Sequence, residues 1–177
     1  MASFSDALKM VLKSEGGFVN DPSDHGGATN EGVTQVNYDS YRRAKNLQGQ
    51  SVKNISPEEV SDIYLHNYWL ASKCDQLPIQ LAFAVFDTAV NSGVGRAAKF
   101  LQKSVGATED GMIGPNTLAS VNDLCKKQGV LKVATDYIDI RESFLKAIVN
   151  NNPSQSKFLT GWLNRTEALK TIIMGLA

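Results

Sequence analysis

The run PIQLAFAVFDTAVNSG, residues 78–93, is apolar almost all the way round a helical wheel. It opens on a proline and closes on a glycine, the usual asymmetry of an α-helix. A helix without a polar face belongs in an interior. The segment therefore predicts the central element of a helical protein. Two polar side chains interrupt it, Asp87 and Asn91, four apart and so on one face. Buried polar groups need hydrogen-bond partners, so the pair either ties down neighbouring segments or lines a cleft.

On both sides of this run the chain continues as helix. Phe4, Leu8, Val11 and Leu12 are spaced for a first helix from about Phe4 to Glu15, stopped at Gly16-Gly17. A second follows Thr34 or Asn37 and carries YDSYRRAKNL. Ser56, Pro57 and Glu59 form an almost complete helix start, with a capping box and proline at the first helical position. That helix is expected to run to about Ser72, bearing Ile63, Tyr64, Tyr68 and Trp69. GRAAKFLQKSVG ends at Gly106, and Pro115 opens another helix. Two longer helices close the chain, about Leu131 to Asn150 and Ser154 to Met174, divided by NNNP. Near the start, only residues 17–34 lack helical periodicity, and they read as a small β-hairpin or irregular loop. The fold class is all-α with that one excursion.

Composition narrows the function. The 177 residues are 42% hydrophobic with five prolines, which suits one domain or two small lobes with a real core. Lys+Arg and Asp+Glu are both 18, so the net charge is zero and a nucleic-acid-binding protein is not expected. Residues 1–92 hold 7 basic and 11 acidic residues, and 93–177 hold 11 and 7. The basic second half suits contact with an anionic polymer, although solvated helix faces give the same pattern. Cys74 and Cys125 lie in no metal-binding spacing and read as free thiols, with one disulfide the alternative. His25 and His66 cannot make a metal site alone, so no metal and no cofactor is expected. The N-terminus lacks the pattern of a signal peptide, and ALKTIIMGLA, residues 168–177, is too short to span a membrane.

The stretch SEGGFVNDPSDHGGAT, residues 14–29, carries the chemistry. Glu15 falls at the expected C-terminal end of a helix, where the dipole disfavours a carboxylate. Breaking a local rule without local benefit is typical of functional sites. An acid so placed is disposed to keep its proton, as a general acid must. The two glycines remove side chains beside it and leave room for a substrate. Asp21 and Asp24 offer a second carboxylate from the loop, the layout of glycoside hydrolysis. Asp21, in NDP, also reads as a plain turn former. Thr29 adds a hydroxyl that can hold a water, or serves as an ordinary strand residue. Tyr68 and Trp69 are candidates to stack on sugar faces, or belong to the core.

EGGFVNDPSDHGGATNEGVT, Glu15 to Thr34, closely resembles the signature of the N-acetylmuramidases of glycoside hydrolase family 108, encoded by phages and bacteria. Tyr68-Trp69, VFDTAVNSG (85–93) and Gln102 fit the same family. DGMIGPNTL (110–118) and FLTGWLNRTEAL (158–169) resemble its peptidoglycan-binding-like C-terminal region, so the resemblance covers nearly the whole chain. It implies a lysozyme-like fold, with a catalytic lobe at 1–92 and a helical wall-binding lobe at 93–177 packed as one unit. It also implies Glu15 as the catalytic acid. Phage-type lysozymes place an Asp nine residues after that Glu and a Thr shortly beyond, which matches Asp24 and Thr29 and favours Asp24 over Asp21. Phe18 stands where the family often has Tyr.

The implied activity is hydrolysis of the β-1,4 bond between N-acetylmuramic acid and N-acetylglucosamine by a phage endolysin. Asp87, Asn91, Trp69 and Tyr68 are the candidate substrate contacts. The partner is bacterial peptidoglycan, bound by a monomer without membrane insertion. The phage resemblance implies synthesis in a host cytoplasm and a holin-type partner that opens the way to the wall. A lytic transglycosylase on the same substrate, and a non-catalytic wall-binding or secretion-related protein, are the rival readings.

Overall fold

A helix starts cleanly where a side chain satisfies the amides of its first turn. Ser56 does so here: its hydroxyl accepts from the Glu59 amide at 3.2 Å, and the Glu59 carboxylate accepts from the Ser56 amide at 3.1 Å. The capping box read from the sequence is thus present. The computed structural model describes residues 3–19 and 28–176. In chain order its helices are α1 (Phe4–Leu12), α2 (Gln35–Ala44), α3 (Pro57–Tyr64), α4 (Ile79–Ser92), α5 (Val94–Val105), α6 (Pro115–Gln128), α7 (Val130–Asn151) and α8 (Ser156–Met174). Between α1 and α2 lie β1 (Thr29–Asn30) and β2 (Val33–Thr34), the only sheet among the described residues. The mainly helical, lysozyme-like class with a hairpin inside 17–34 is what the sequence called for.

The described chain forms two compact units, Phe4–Asn67 and the portion from Tyr68 onward. In the first, α1 buries Ala7, Leu8 and Val11. β1 and β2 pair antiparallel, Thr29 with Thr34 and Asn30 with Val33. Asn30 Nδ2 donates to the Val52 and Lys53 carbonyls of a 3₁₀ turn, at 3.2 and 3.3 Å. Gln35 takes the Val52 amide at 2.7 Å and gives its own amide proton to the Gln50 carbonyl at 2.9 Å. The hairpin is therefore stitched to the following loop by side-chain amides.

Glu59 also joins α2 to α3. It accepts from the buried Tyr38 hydroxyl and from Arg42 Nη1, each at 2.6 Å. Burial alone would push its carboxyl up, but the Tyr38 hydroxyl, the Ser56 amide and Arg42 hold it below the ordinary carboxylate range.

The helix after Pro57 departs from expectation. Its α geometry ends at Tyr64, and Leu65–Leu70 form a π turn. A π turn places like-facing residues five apart instead of four. Accordingly the buried positions step from Tyr64 to Trp69, while Asn67 is exposed. The extra residue is what sends Trp69 inward.

In the second unit α4 is the buried centre, with every residue from Leu81 to Ala89 buried. Gly93, at φ 88° and ψ 150°, links α4 to α5 without a loop. Its amide closes α4 on Ala89 and its carbonyl opens α5 to Ala97. Only glycine adopts that conformation readily. Cys74 and Cys125 are both free thiols. Among the described residues, no helix is long and apolar enough to cross a membrane.

Asp87, 3% exposed, is the polar hub of this unit. Arg141 Nη1 of α7 donates to its Oδ2 at 2.6 Å. Arg165 of α8 donates from Nε at 3.0 and 3.2 Å and lies 2.9 Å away through Nη2. Arg141 is 1% exposed, and its Nε has no partner among the described residues. Its charge therefore depends on Asp87 and on the Asn91 oxygen at 3.2 Å.

Two stability outcomes follow from these networks. Asp87→Asn strips a buried arginine of its counter-charge, at a cost of about 3–5 kcal/mol. Calorimetry should register this as a fall in Tm on the order of 10 °C. Glu59→Gln should cost about 1–2 kcal/mol near neutral pH. Because the folded-state pKa of Glu59 is depressed, its contribution is present above the ordinary carboxylate pKa and is lost as pH falls through the folded value. The gap in Tm between wild type and Glu59→Gln should therefore shrink as pH falls below the ordinary glutamate pKa of about 4.3.

Candidate active site

The backbone tightens at the end of α1. The Ser14 amide bonds the Val11 carbonyl at 2.9 Å and the Glu15 amide bonds that of Leu12 at 3.2 Å, both three residues back. Such narrowing satisfies the last carbonyls of a helix. Glu15 thus stands just past the helix, not in its last turn as the periodicity suggested. It remains at the negative end of the α1 dipole. Its side chain is half-buried.

Gly16 and Gly17 serve a different purpose from the one expected of a helix stop. Neither has positive φ, so backbone conformation does not require glycine there. A Cβ at either position would meet no described heavy atom within 4 Å. Among the described residues, the pair leaves the positions directly after the acid without neighbouring side chains.

The glycine that the backbone does require is Gly32. The hairpin turn holds Glu31 at φ 48° and Gly32 at φ 75°. Positive φ at both central residues marks a two-residue type I′ turn, which matches the twist of the flanking strands. A Cβ on Gly32 would lie 3.2 Å from Glu15 Oε2 and 3.4 Å from Glu15 Cγ. It would also overlap the Tyr64 hydroxyl outright. That hydroxyl, almost wholly buried, donates to the Glu31 carbonyl at 2.9 Å. The turn, the acid and the tyrosine therefore converge on one point, and the absent side chain makes the convergence fit. Sequence reasoning missed Gly32 and Tyr64 as site residues. The legible signal was the glycine of NEGVT directly before two β-branched residues.

Thr29 belongs to β1. Its backbone exchanges two 2.8 Å hydrogen bonds with Val19, four residues beyond Glu15. This bridge closes the ends of the intervening segment on each other. Asp21, Asp24 and His25 lie in that segment, outside the described residues.

The remaining expected contacts sit in the second unit. Trp69 is 6% exposed and packs edge-on against Phe86, with ring centroids 5.4 Å apart. Its place is in the core. Tyr68 is half-buried. Both Asp87 oxygens are taken by arginine, so this carboxylate holds α4, α7 and α8 together. Asn91 is exposed. Its oxygen accepts from Arg141 and Ser92, each at 3.2 Å, while its amide nitrogen finds no acceptor among the described residues. Arg141, which joins Asp87 to Asn91, was not legible before the structure. No hydropathy pattern singles out one arginine on a long helix.

In DGMIGPNTL, Pro115 opens α6 and residues 110–114 fold as a turn. Buried Gln102 organises it: Nε2 donates to Asp110 Oδ1 at 2.6 Å and to the Met112 carbonyl at 3.0 Å, and Oε1 accepts from the Gly111 amide at 2.9 Å. The Met112 amide and Gln102 hold the Asp110 carboxyl below its usual range.

Residues 8–93 match the model of the family described as glycosyl hydrolase 108. Residues 96–167 match a second model, described as a predicted peptidoglycan domain. Among solved structures, "Structure of Brucella abortus SagA" is similar at 34% identity and a TM-score of 0.78, covering 97% of this chain and 94% of that one. No curated protein sequence matches. A 34% identity sustained over almost the full length of both chains, with the family model laid over the Glu15 segment, is more than likeness of fold: the chain belongs to the glycosyl hydrolase 108 family and is a glycoside hydrolase that degrades peptidoglycan.

Proposed function

We propose that the protein is an N-acetylmuramidase that hydrolyses the β-1,4 bond from N-acetylmuramic acid to N-acetylglucosamine, with Glu15 as general acid. The observation that carries this is the packing of the Glu15 carboxyl and the Tyr64 hydroxyl against the position a Gly32 side chain would take, with no described heavy atom within 4 Å of a Cβ at Gly16 or Gly17. A general acid must be held still against its surroundings while one side stays open to the glycosidic oxygen. In this reading Glu15 protonates the leaving oxygen. Asp24 acts as base or electrostatic stabiliser of the oxocarbenium-like sugar, and Thr29 holds the water. Spacing supports Asp24 over Asp21.

Asn91 and Tyr68 serve as sugar contacts, Asn91 through its uncommitted amide protons. Asp87 and Trp69 contribute from the interior, Asp87 by holding the arginine that positions Asn91. Residues 1–92 act as the catalytic lobe and 93–177 as the wall-binding lobe. The phage resemblance extends the proposal to a monomeric endolysin, made in the host cytoplasm and released to the wall by a holin-type partner.

Glu15→Gln should fold normally and lose about 10²–10⁴-fold in cell-wall lysis. Near-full activity of the folded variant would sink the assignment. Mass spectrometry of the wild-type products should show free reducing N-acetylmuramic acid ends, and 1,6-anhydro ends would overturn hydrolysis. Gly32→Ala forces a methyl group into Tyr64 and against Glu15, at a cost of about 1–3 kcal/mol in stability. Lysis measured well below its Tm should still fall by about tenfold or more, because the acid has moved.

A further inference from the structure

The second unit carries a groove of about 610 Å³ along α5 and α7, within the residues that match the peptidoglycan domain. Its volume is that of a small-ligand site. We infer that this groove binds the peptide stem of peptidoglycan through the stem's carboxylates. The inference rests on the proposed function only for the identity of the polymer.

Arg96, Lys99 and Lys103 are spaced along one face of α5 and line the groove. All three are exposed, and none forms an ion pair among the described residues. The facing acid on α7, Asp139, is paired with Lys170 at 2.8 Å, a cation it shares with Glu142 at 2.9 Å. Glu109, exposed at the rim, has no cation partner there either. The groove thus offers three uncommitted cations and one uncommitted carboxylate.

Its floor is aromatic. Phe100 and the half-buried Phe144 have ring centroids 5.3 Å apart. The Arg96 guanidinium lies over Phe144, its carbon 4.4 Å from the ring centroid, a contact that steadies the cation over the floor. The Lys99 stem lies against Gly111, where a Cβ would come within 3.4 Å of Lys99 Cε. The loop pinned by Gln102 therefore backs the lysine and limits its freedom.

This pattern selects among the parts of the wall polymer. The amino-sugar strand has no free carboxylate where its lactyl groups are amide-linked to peptide. The stem carries several carboxylates, alanine methyl groups and, before cross-linking, the amine of a diamino acid. Those groups match the cations, the phenylalanine floor and Glu109 in turn. A continuous phosphate backbone matches less well, because the uncommitted Glu109 at the rim would repel it.

The test uses the full chain carrying Glu15→Gln, so that binding is read without cleavage. The probes are purified sacculi, glycan strands freed of their stems by an amidase and then amidated at the lactyl carboxylates so exposed, and a soluble stem tetrapeptide. Lys99→Glu/Lys103→Glu should weaken sacculus binding by about tenfold or more. Lys99→Arg/Lys103→Arg should keep it within about twofold, since the charge remains. The parent should lose affinity for stem-free strands by a similar factor, and the tetrapeptide should compete where DNA does not. Equal binding by the charge-reversed and parent proteins would overturn the inference. So would equal binding to stem-free strands, or competition by DNA as strong as that by tetrapeptide, which would mark a general anion surface. Cleavage of stem-free strands by the chain with Glu15 intact tests the muramidase reading alone, so the two failures are separable.

Discussion

No side chain fits at position 32, and the arrangement around Glu15 depends on that. Gly32 holds a conformation that other residues adopt only under strain, and the space beside it is already occupied by the acid and the Tyr64 hydroxyl. The type I′ turn brings backbone against functional groups because it is short and twisted in the right sense. Tyr64 fixes the turn from α3 by bonding the Glu31 carbonyl. An acid on one element is thereby registered against a hairpin and a second helix. Loops position chemistry well when a rigid scaffold determines them in this way.

A second constraint governs the unit from Tyr68 onward. A carboxylate in an apolar helix is costly to bury unless it is paired and hydrogen-bonded. Asp87 meets that condition with Arg141 and Arg165, and Arg141 passes the contact on to Asn91. The network sets the register of three helices, where apolar packing alone would tolerate small slips. Its reach from a buried carboxylate to an exposed amide shows how an interior charge can hold a surface group still.

In the proposed reading the two halves of the chain divide binding and chemistry along physical lines. The N-terminal portion supplies the half-buried acid, which suits attack at one bond. The C-terminal portion presents cations on an aromatic floor, which suits repeated contact with an anionic polymer. The zero net charge conceals this, because an acidic half cancels a basic one.

Much of this was legible in the residues themselves. The apolar run at 78–93, the capping box at Ser56–Glu59 and the proline that opens α6 act locally, through hydrophobic burial and first-turn amides. The amino-acid order therefore determined the helical class and most helix starts. It also marked Glu15, because a carboxylate followed by two glycines at a helix end is a poor choice for stability alone. Only tertiary structure decided the rest. Gly32 against Glu15 and Tyr64, Asp87 between two arginines, and the shift that turns Trp69 inward all join residues far apart in the chain or depend on a change of helical pitch. Such contacts leave no periodic signal, since their energy comes from fit and pairing in space, which the order of residues does not display.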